Sequence, residues 1–341
     1  MGCTMKYVIG LVVCSLVLFL VISECLSQTN DLIDNLGGYI EAENDSGIQR
    51  ITIPAGRTVE IFKKRADYLV NDFDLSPDGK ERVINVSGVG YDYNRLCTYS
   101  SDRNLITILN KNGIGMPSFS PDGKQIAYLS CPYNRETKIL SNDDCYLFLI
   151  RPNGSSDRRV SDLPLMPFRP SWFPDGKRLT VTTRNFQVYS INIENGAQER
   201  IIDFGVAPVV SPSGKYIAYL SNDVGLSTRR KIIDSYNIFK KEYDAIITEK
   251  GNRQKEMIEL GQYFLEHAIY IHDIETGKTR KIAGPEWVEE PPVWSPDNRY
   301  LAYGDRSYVV RQIYVLDVNS GEKMKLEGGY GRVMVWGKIE R

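Results

Sequence analysis

One pattern of apolar and polar positions recurs along the chain. An apolar residue leads into a Ser-Pro-Asp-Gly-Lys turn, and an alternating or wholly apolar run follows it. The copies are Leu75-Ser76-Pro77-Asp78-Gly79-Lys80, Phe119-Ser120-Pro121-Asp122-Gly123-Lys124 and Trp172-Phe173-Pro174-Asp175-Gly176-Lys177, then Val210-Ser211-Pro212-Ser213-Gly214-Lys215 and Trp294-Ser295-Pro296-Asp297-Asn298-Arg299. Proline presets φ for the first central position of a type I turn, Asp accepts local backbone hydrogen bonds, and Gly tolerates the positive φ that follows. Asn298 is the residue best able to replace that Gly. Runs such as Gln125-Ile126-Ala127-Tyr128-Leu129 and Tyr300-Leu301-Ala302-Tyr303 complete a strand, tight turn, strand unit.

The turn prolines at 77, 121, 174, 212 and 296 are separated by 44, 53, 38 and 84 residues. A period of 40 to 45 is that of a four-stranded propeller blade. Third strands follow, as in Tyr146-Leu147-Phe148-Leu149-Ile150 and Gln312-Ile313-Tyr314-Val315-Leu316, then Gly-containing turns and short charged outer strands such as Lys278-Thr279-Arg280-Lys281-Ile282. The 84-residue gap reads as one blade with an insertion. Between about 222 and 266 the period becomes helical, with Ile232, Tyr236, Phe239, Tyr243 and Ile246 on one stripe and Met257, Leu260 and Phe264 on another. Tyr236, Phe239 and Tyr243 are the candidates to meet a partner from that insertion.

Val335-Trp336-Gly337 echoes Val293-Trp294-Ser295 one period later, 336 − 294 = 42 residues on. A sixth innermost strand therefore lies at the C-terminal end. Unassigned strands at Gly38-Tyr39-Ile40-Glu41, Gln49 to Ile53 and Val59 to Lys63 supply its partners. Sharing one blade between both termini removes a free sheet edge. The expected fold is all-β, a six-bladed β-propeller closed by a shared N/C-terminal blade and carrying a helical insertion in one blade.

The Ser-Pro-Asp-Gly-Lys turn followed by Ile-Ala-Tyr resembles the TolB-type, WD-like propeller repeat. It is also similar to the repeat in the propeller domain of dipeptidyl-peptidase IV and prolyl-oligopeptidase-like enzymes. The resemblance covers essentially the whole chain after its leader and implies the propeller fold. It does not by itself imply an activity.

The chain has 341 residues with a formal net charge of −1. That balance argues against nucleic-acid binding, which needs a basic excess. Residues 1–27 read as a signal peptide or N-terminal membrane anchor, with Lys6 ahead of the sixteen-residue apolar run from Tyr7 to Ile22 and small residues before Gln28. Residues 28–341 form the propeller, expected to lie outside the cytoplasm, periplasmic or secreted, and to touch a membrane only through the N-terminal segment. Cys97, Cys131 and Cys145 remain outside the leader. Cys131 and Cys145 flank one connection between neighbouring strands and are the candidate disulfide.

No Gly-x-Ser-x-Gly nucleophile elbow occurs in the 341 residues. His267 and His272 are five apart on one expected strand, on opposite faces, and cannot share a metal or substrate. Asp78, Asp122, Asp175 and Asp297 read as turn caps rather than metal ligands. Trp172, Trp294 and Trp336 read as packing between blades. On the expected innermost strands, Val70 to Leu75, Pro117 to Phe119, Pro170 to Trp172, Pro208 to Val210, Pro292 to Trp294 and Val333 to Trp336, only Asp72 and Asp74 are acidic. The expectation is therefore a non-enzymatic, monomeric binding propeller with no catalytic residue, cofactor or metal, which takes a protein, peptide or glycan on its loop face. The alternative is a propeller enzyme, hydrolase or lyase, or an accessory subunit of a separate peptidase.

Overall fold

The structure is a computed structural model that describes residues 38–53, 56–88, 94–134, 139–140, 144–221, 266–287, 291–305 and 312–337. Its strands in chain order are β1 (Gly38–Asn44), β2 (Gly47–Ile53), β3 (Thr58–Lys63), β4 (Tyr68–Leu75), β5 (Glu81–Gly88), β6 (Asn94–Ser100), β7 (Arg103–Asn110), β8 (Ile114–Phe119), β9 (Ile126–Ser130), β10 (Tyr133–Asn134), β11 (Ile139–Leu140), β12 (Tyr146–Ile150) and β13 (Arg158–Arg159). They continue as β14 (Ser171–Trp172), β15 (Arg178–Thr182), β16 (Val188–Asn192), β17 (Gln198–Ile202), β18 (Val206–Val210), β19 (Tyr216–Ser221), β20 (Glu266–Asp273), β21 (Thr279–Trp287), β22 (Val293–Trp294), β23 (Tyr300–Asp305), β24 (Gln312–Asp317), β25 (Lys323–Tyr330) and β26 (Arg332–Gly337).

These strands make a six-bladed β-propeller. Blade 1 is β4-β5-β6-β7, blade 2 β8-β9-β12-β13, blade 3 β14-β15-β16-β17, blade 4 β18-β19-β20-β21 and blade 5 β22-β23-β24-β25. Blade 6 is β26-β1-β2-β3, so the C-terminal strand is innermost and three N-terminal strands complete it, with Ile40 opposite Trp336. The 84-residue gap holds one blade. The expected helical insertion with Tyr236, Phe239 and Tyr243 falls outside the described residues, as does the expected leader 1–27. Among the described residues no helix is long and apolar enough to cross a membrane.

Strand character follows position in the blade. Second strands are buried on both faces, because each blade is sandwiched between two others. Ile126, Ala127, Tyr128 and Leu129 are all buried, and this explains their near-continuous apolar run. Outer strands such as β17 and β13 face water and carry charge. The turns are held as their chemistry requires. Gly79 donates its N–H to the Ser76 carbonyl at 2.8 Å, Lys80 donates its N–H to Asp78 at 3.2 Å, and Asn298 sits at φ 64° where the other copies have Gly. Asp122, Asp175 and Asp297 accept local backbone N–H groups in the same way.

Among the described residues the apolar core is divided into six slabs, one per seam between blades. Val83 and Leu96 meet Ile126 and Tyr128 between blades 1 and 2, and Leu147 and Leu149 meet Leu179 and Val181 between blades 2 and 3. Phe173 and Val188 meet Ile217 between blades 3 and 4, and Leu220 and Ile269 meet Leu301 and Tyr303 between blades 4 and 5. Tyr300 and Val315 meet Ile40 and Trp336 between blades 5 and 6, and Ile48 and Phe62 meet Tyr68 and Phe73 between blades 6 and 1. Each fully buried aliphatic side chain contributes about 1.5–3 kcal/mol, so stability is spread around the ring.

The seam between blades 6 and 1 adds charge. Glu41 is fully buried. Arg82 of blade 1 donates to it at 2.6 and 2.9 Å, and Arg50 of blade 6 at 2.7 and 3.0 Å. Arg332 pairs with Glu43 at 2.8 Å and donates to the Asn71 carbonyl of blade 1 at 2.8 Å.

Candidate functional site

The six innermost strands surround the axis. In blades 2 to 5 a proline stands four residues before the turn proline, within β8 and β18 at 117 and 208 and just ahead of β14 and β22 at 170 and 292. A proline gives no ladder donor, so these strands cannot pair regularly at that point. The registers break there, between Gly115 and Ser118 in β8 and between Val206 and Val209 in β18. β4 is bulged at the matching place, between Val70 and Asp72. Met116 and Ala207, each just before such a proline, take φ values of 56° and 54°. Left-handed backbone in non-glycine residues is sparsely populated and persists where packing over-determines it. The bulges turn equivalent positions of separate blades into the channel mouth, on the face where the connections between second and third strands also open.

There a cavity of about 310 Å³ is lined on one side by Asp72, Asp74, Ser118 and Arg169, and on the other by Val209 and Val293 with their flanking prolines. Arg169 lies just ahead of β14 in blade 3. Its guanidinium reaches Asp72 of blade 1 and also donates to the Phe73 carbonyl at 2.8 Å. Asp72 accepts the Phe73 N–H at 2.8 Å as well, so a 3% exposed carboxylate is fully engaged. Asp74, half-buried one pleat further in, accepts the Phe119 N–H of blade 2 at 2.7 Å. Burial pushes its carboxyl up to about 6. The Asp72 charge adds to that rise, while Arg169 and the N–H groups of Phe119 and Leu75 oppose it. A carboxyl that titrates near neutrality in a cavity can hold a cation or exchange a proton. Among the described residues no group of three His, Cys, Asp or Glu gathers that could hold a metal ion.

On the tight-turn face a wider funnel of about 1130 Å³ opens, walled by Trp172, Trp294, Trp336 and the turn prolines, with Arg50 and Lys80 at its rim. Val209 and Val293 line both spaces, which therefore adjoin along the axis. Trp172 donates its indole N–H to the Ser118 carbonyl of blade 2 at 3.1 Å, and Trp294 donates to Val209 of blade 4 at 3.0 Å. Trp336 stacks on Tyr300 at 6.5 Å. The tryptophans thus pack between blades, and the same rings bound the funnel. Tyr39 and Gly337, paired in the closing blade, both line it.

Cys131 and Cys145 are joined as a disulfide with Cα atoms 4.0 Å apart, at the base of the connection carrying β10 and β11. Cys97 is a buried thiol whose pKa burial raises. His272 shares a hydrogen bond with Thr279 at 3.0 Å. Burial lowers His267 to about 4, and its Nδ1 has no partner among the described residues. The two histidines sit roughly 17 Å apart along β20 by strand rise, far from the axial carboxylates in the chain. Arg169 is the site residue that sequence reasoning missed. The repeated proline four residues ahead of each turn proline was the available signal, because the residue before it lines the pocket in blades 2, 3 and 5, as Met116, Arg169 and Pro291.

No family model matches the chain. It is 26% identical over 297 residues to Dipeptidyl-peptidase 5 of Porphyromonas endodontalis, a match that covers 76% of this chain and 42% of that protein. It is 23% identical over 201 residues to the uncharacterized peptidase YuxL of Bacillus subtilis, covering 55% of this chain and 28% of that protein. The chain thus spans less than half the length of these curated relatives. Among solved structures, TolB from Acinetobacter baumannii superposes with a TM-score of 0.62 at 17% identity, over 88% of this chain and 66% of that one. The fold is that of the TolB-like propellers, and the sequence relation to a dipeptidyl peptidase agrees with the resemblance carried by the repeat.

The expectation of a non-enzyme is overturned by these relatives, both of which are named as peptidases. It rested on the missing nucleophile elbow and the separated histidines. A propeller can serve catalysis by admitting and orienting substrate for a nucleophile held on a neighbouring unit, so the lack of a nucleophile among blade residues does not separate the two classes.

Proposed function

We propose that this propeller works in peptide hydrolysis outside the cytoplasm, as the substrate-admitting part of a peptidase whose nucleophile lies on a hydrolase unit beside it. The relation to Dipeptidyl-peptidase 5 over 76% of the chain carries the reading. The axial geometry supports it. The funnel and the loop-face pocket adjoin at Val209 and Val293, which gives an extended peptide a path along the axis. Both ends of the closing blade, at Gly38 and Gly337, meet beside the funnel, so a unit attached there would cover that opening. The apolar leader run and the Cys131–Cys145 disulfide favour an oxidising compartment. The test is to tag the full chain, purify it from its own host in mild detergent, and assay fluorogenic dipeptidyl substrates with and without a serine-directed fluorophosphonate. Hydrolysis that follows the tag and is blocked by the fluorophosphonate is expected. A tagged preparation with no peptidase activity would overturn the reading.

A further inference from the structure

Among the described residues each outer strand of the six blades is the edge of its sheet. An edge strand is a template for pairing with another chain, and charge along it is a common guard. Five of the six carry that guard within the strand, at Glu60 in β3, Arg159 in β13, Glu199 in β17, Lys281 in β21 and Lys325 in β25. β7 differs. After Arg103 at its start it runs Asn104-Leu105-Ile106-Thr107-Ile108-Leu109-Asn110, with no charge and no proline. Ile106 is 50% exposed, and with Val59 it makes up the exposed large apolar side chains among the described residues. Leu105 lies at the rim of the slab between blades 6 and 1, and Ile108 and Leu109 at the rim of the slab between blades 1 and 2. A strand added beside β7 would cover the outer part of both slabs.

The order of residues says which strand fits. Positions 104–110 read the same in both directions about Thr107. A two-fold axis through Thr107 sets Leu105 opposite Leu109, Ile106 opposite Ile108 and Thr107 opposite its own copy. Every cross-strand pair then joins identical residues, aliphatic on aliphatic and hydroxyl on hydroxyl. A slip of one residue sets Thr107 against an isoleucine and loses the match. We propose that the protein self-associates through β7, as a two-fold dimer whose two strands pair antiparallel about Thr107 and join two blades into one continuous sheet. The monomer expected from the repeat is then one side of a concentration-dependent equilibrium, whatever the outcome of the peptidase reading. Two features keep the pair weak. Bulges at Ile108 and between Arg103 and Ile106 twist the strand, and the register sets Arg103 opposite Lys111 at each end. Lys111 is itself drawn over the Phe148 ring of blade 2, at 5.1 Å.

Sedimentation velocity on the full chain, purified from its host in mild detergent, tests this. A dimer should form with a Kd of about 10–100 µM, as suits an interface at the small end of the range. Added salt should tighten it about twofold, because it screens Arg103 from Lys111. Hydrogen exchange on the same wild-type protein should slow in peptides covering 104–110 as concentration rises through the Kd. Thr107→Lys and Thr107→Glu each place like charges on the axis, at a side chain that is exposed in the single chain. Each variant alone should stay monomeric, and a one-to-one mixture should recover the dimer. A wild type that remains monomeric at about 100 µM, exchange in 104–110 that ignores concentration, or association that survives both substitutions would overturn the proposal, as would a mixture of folded variants that fails to pair. The exchange measurement decides on the wild type, whether or not the variants fold.

Discussion

Between blades 4 and 5, Trp294 donates its indole N–H to the Val209 carbonyl inside an apolar slab; between blades 6 and 1, a fully buried carboxylate, Glu41, is gripped by Arg50 and Arg82. Both contacts tie one blade to the next in a ring of similar four-stranded sheets. They differ in what remains when a partner is lost. Removing an indole N–H leaves one neutral carbonyl short of a donor, about 1–3 kcal/mol. Removing the carboxylate leaves two guanidiniums facing each other in a buried seam, about 3–5 kcal/mol. The seams around blade 1 are therefore the ones most exposed to charge chemistry, and the channel carboxylates Asp72 and Asp74 stand on the same blade.

The sharpest way to break this comparison is to cut one contact of each kind. Glu41→Ala should lower the unfolding free energy by about 3–5 kcal/mol, and Trp294→Phe by about 1–3 kcal/mol. Urea denaturation monitored by circular dichroism reads both. Equal losses would show that burial alone, and not charge, governs the seams. The disulfide gives the next effect, on the seam between blades 2 and 3, whose apolar slab includes Cys145. Opening a bridge across a separation of 14 residues should cost about 3 kcal/mol, independent of salt, provided both thiols are oxidised in protein taken from its host. Non-reducing peptide mass spectrometry settles the oxidation state, and two free thiols there would remove the covalent pin from the comparison.

The smallest effect is in pH. Burial holds the Asp74 carboxyl up at about 6, above the ordinary carboxylate range. Because the folded state holds the proton more tightly, this group favours folding below about 4 and disfavours it progressively as pH rises to 6. Asp74→Asn should then stabilise the protein above pH 6 by about 2 kcal/mol after allowance for partial exposure, and by nothing at pH 3.5. His267, lowered to about 4 by burial, works in the opposite sense, since its neutral form lends stability above 6.5 that is lost as pH falls towards 4. His272, also lowered by burial, adds to that rise with pH, so the wild-type profile should climb less steeply between pH 4 and 6.5 than that of the Asn variant. A variant curve parallel to the wild type would place Asp74 outside the titrating set.

Turn chemistry is local, and this made the blades legible. Pro77, Asp78 and Gly79 fix their own backbone whatever surrounds them, so five copies could be counted and the sixth found from Trp336. Closure by the strands near Gly38, Gln49 and Val59 followed because an open ring leaves an unpaired edge. The tryptophans and turn aspartates likewise kept the packing and capping roles their positions implied. The axial site was legible only in fragments. Asp72 and Asp74 stood out as the acidic pair of the inner strands, whereas Arg169 read as an ordinary residue before a proline.

Periodic turns and alternating strands thus determined the number of blades, their order and the closure, because each is set by chemistry within a few residues of chain. The tertiary structure alone brought Arg169 to Asp72 across 97 positions, seated Glu41 between Arg50 and Arg82, and gathered Asp72, Asp74 and Arg169 with Val209 and Val293 around one axial pocket. Each of these joins residues from different blades, and their meeting depends on how six sheets are rotated about one axis, a quantity that no local period contains.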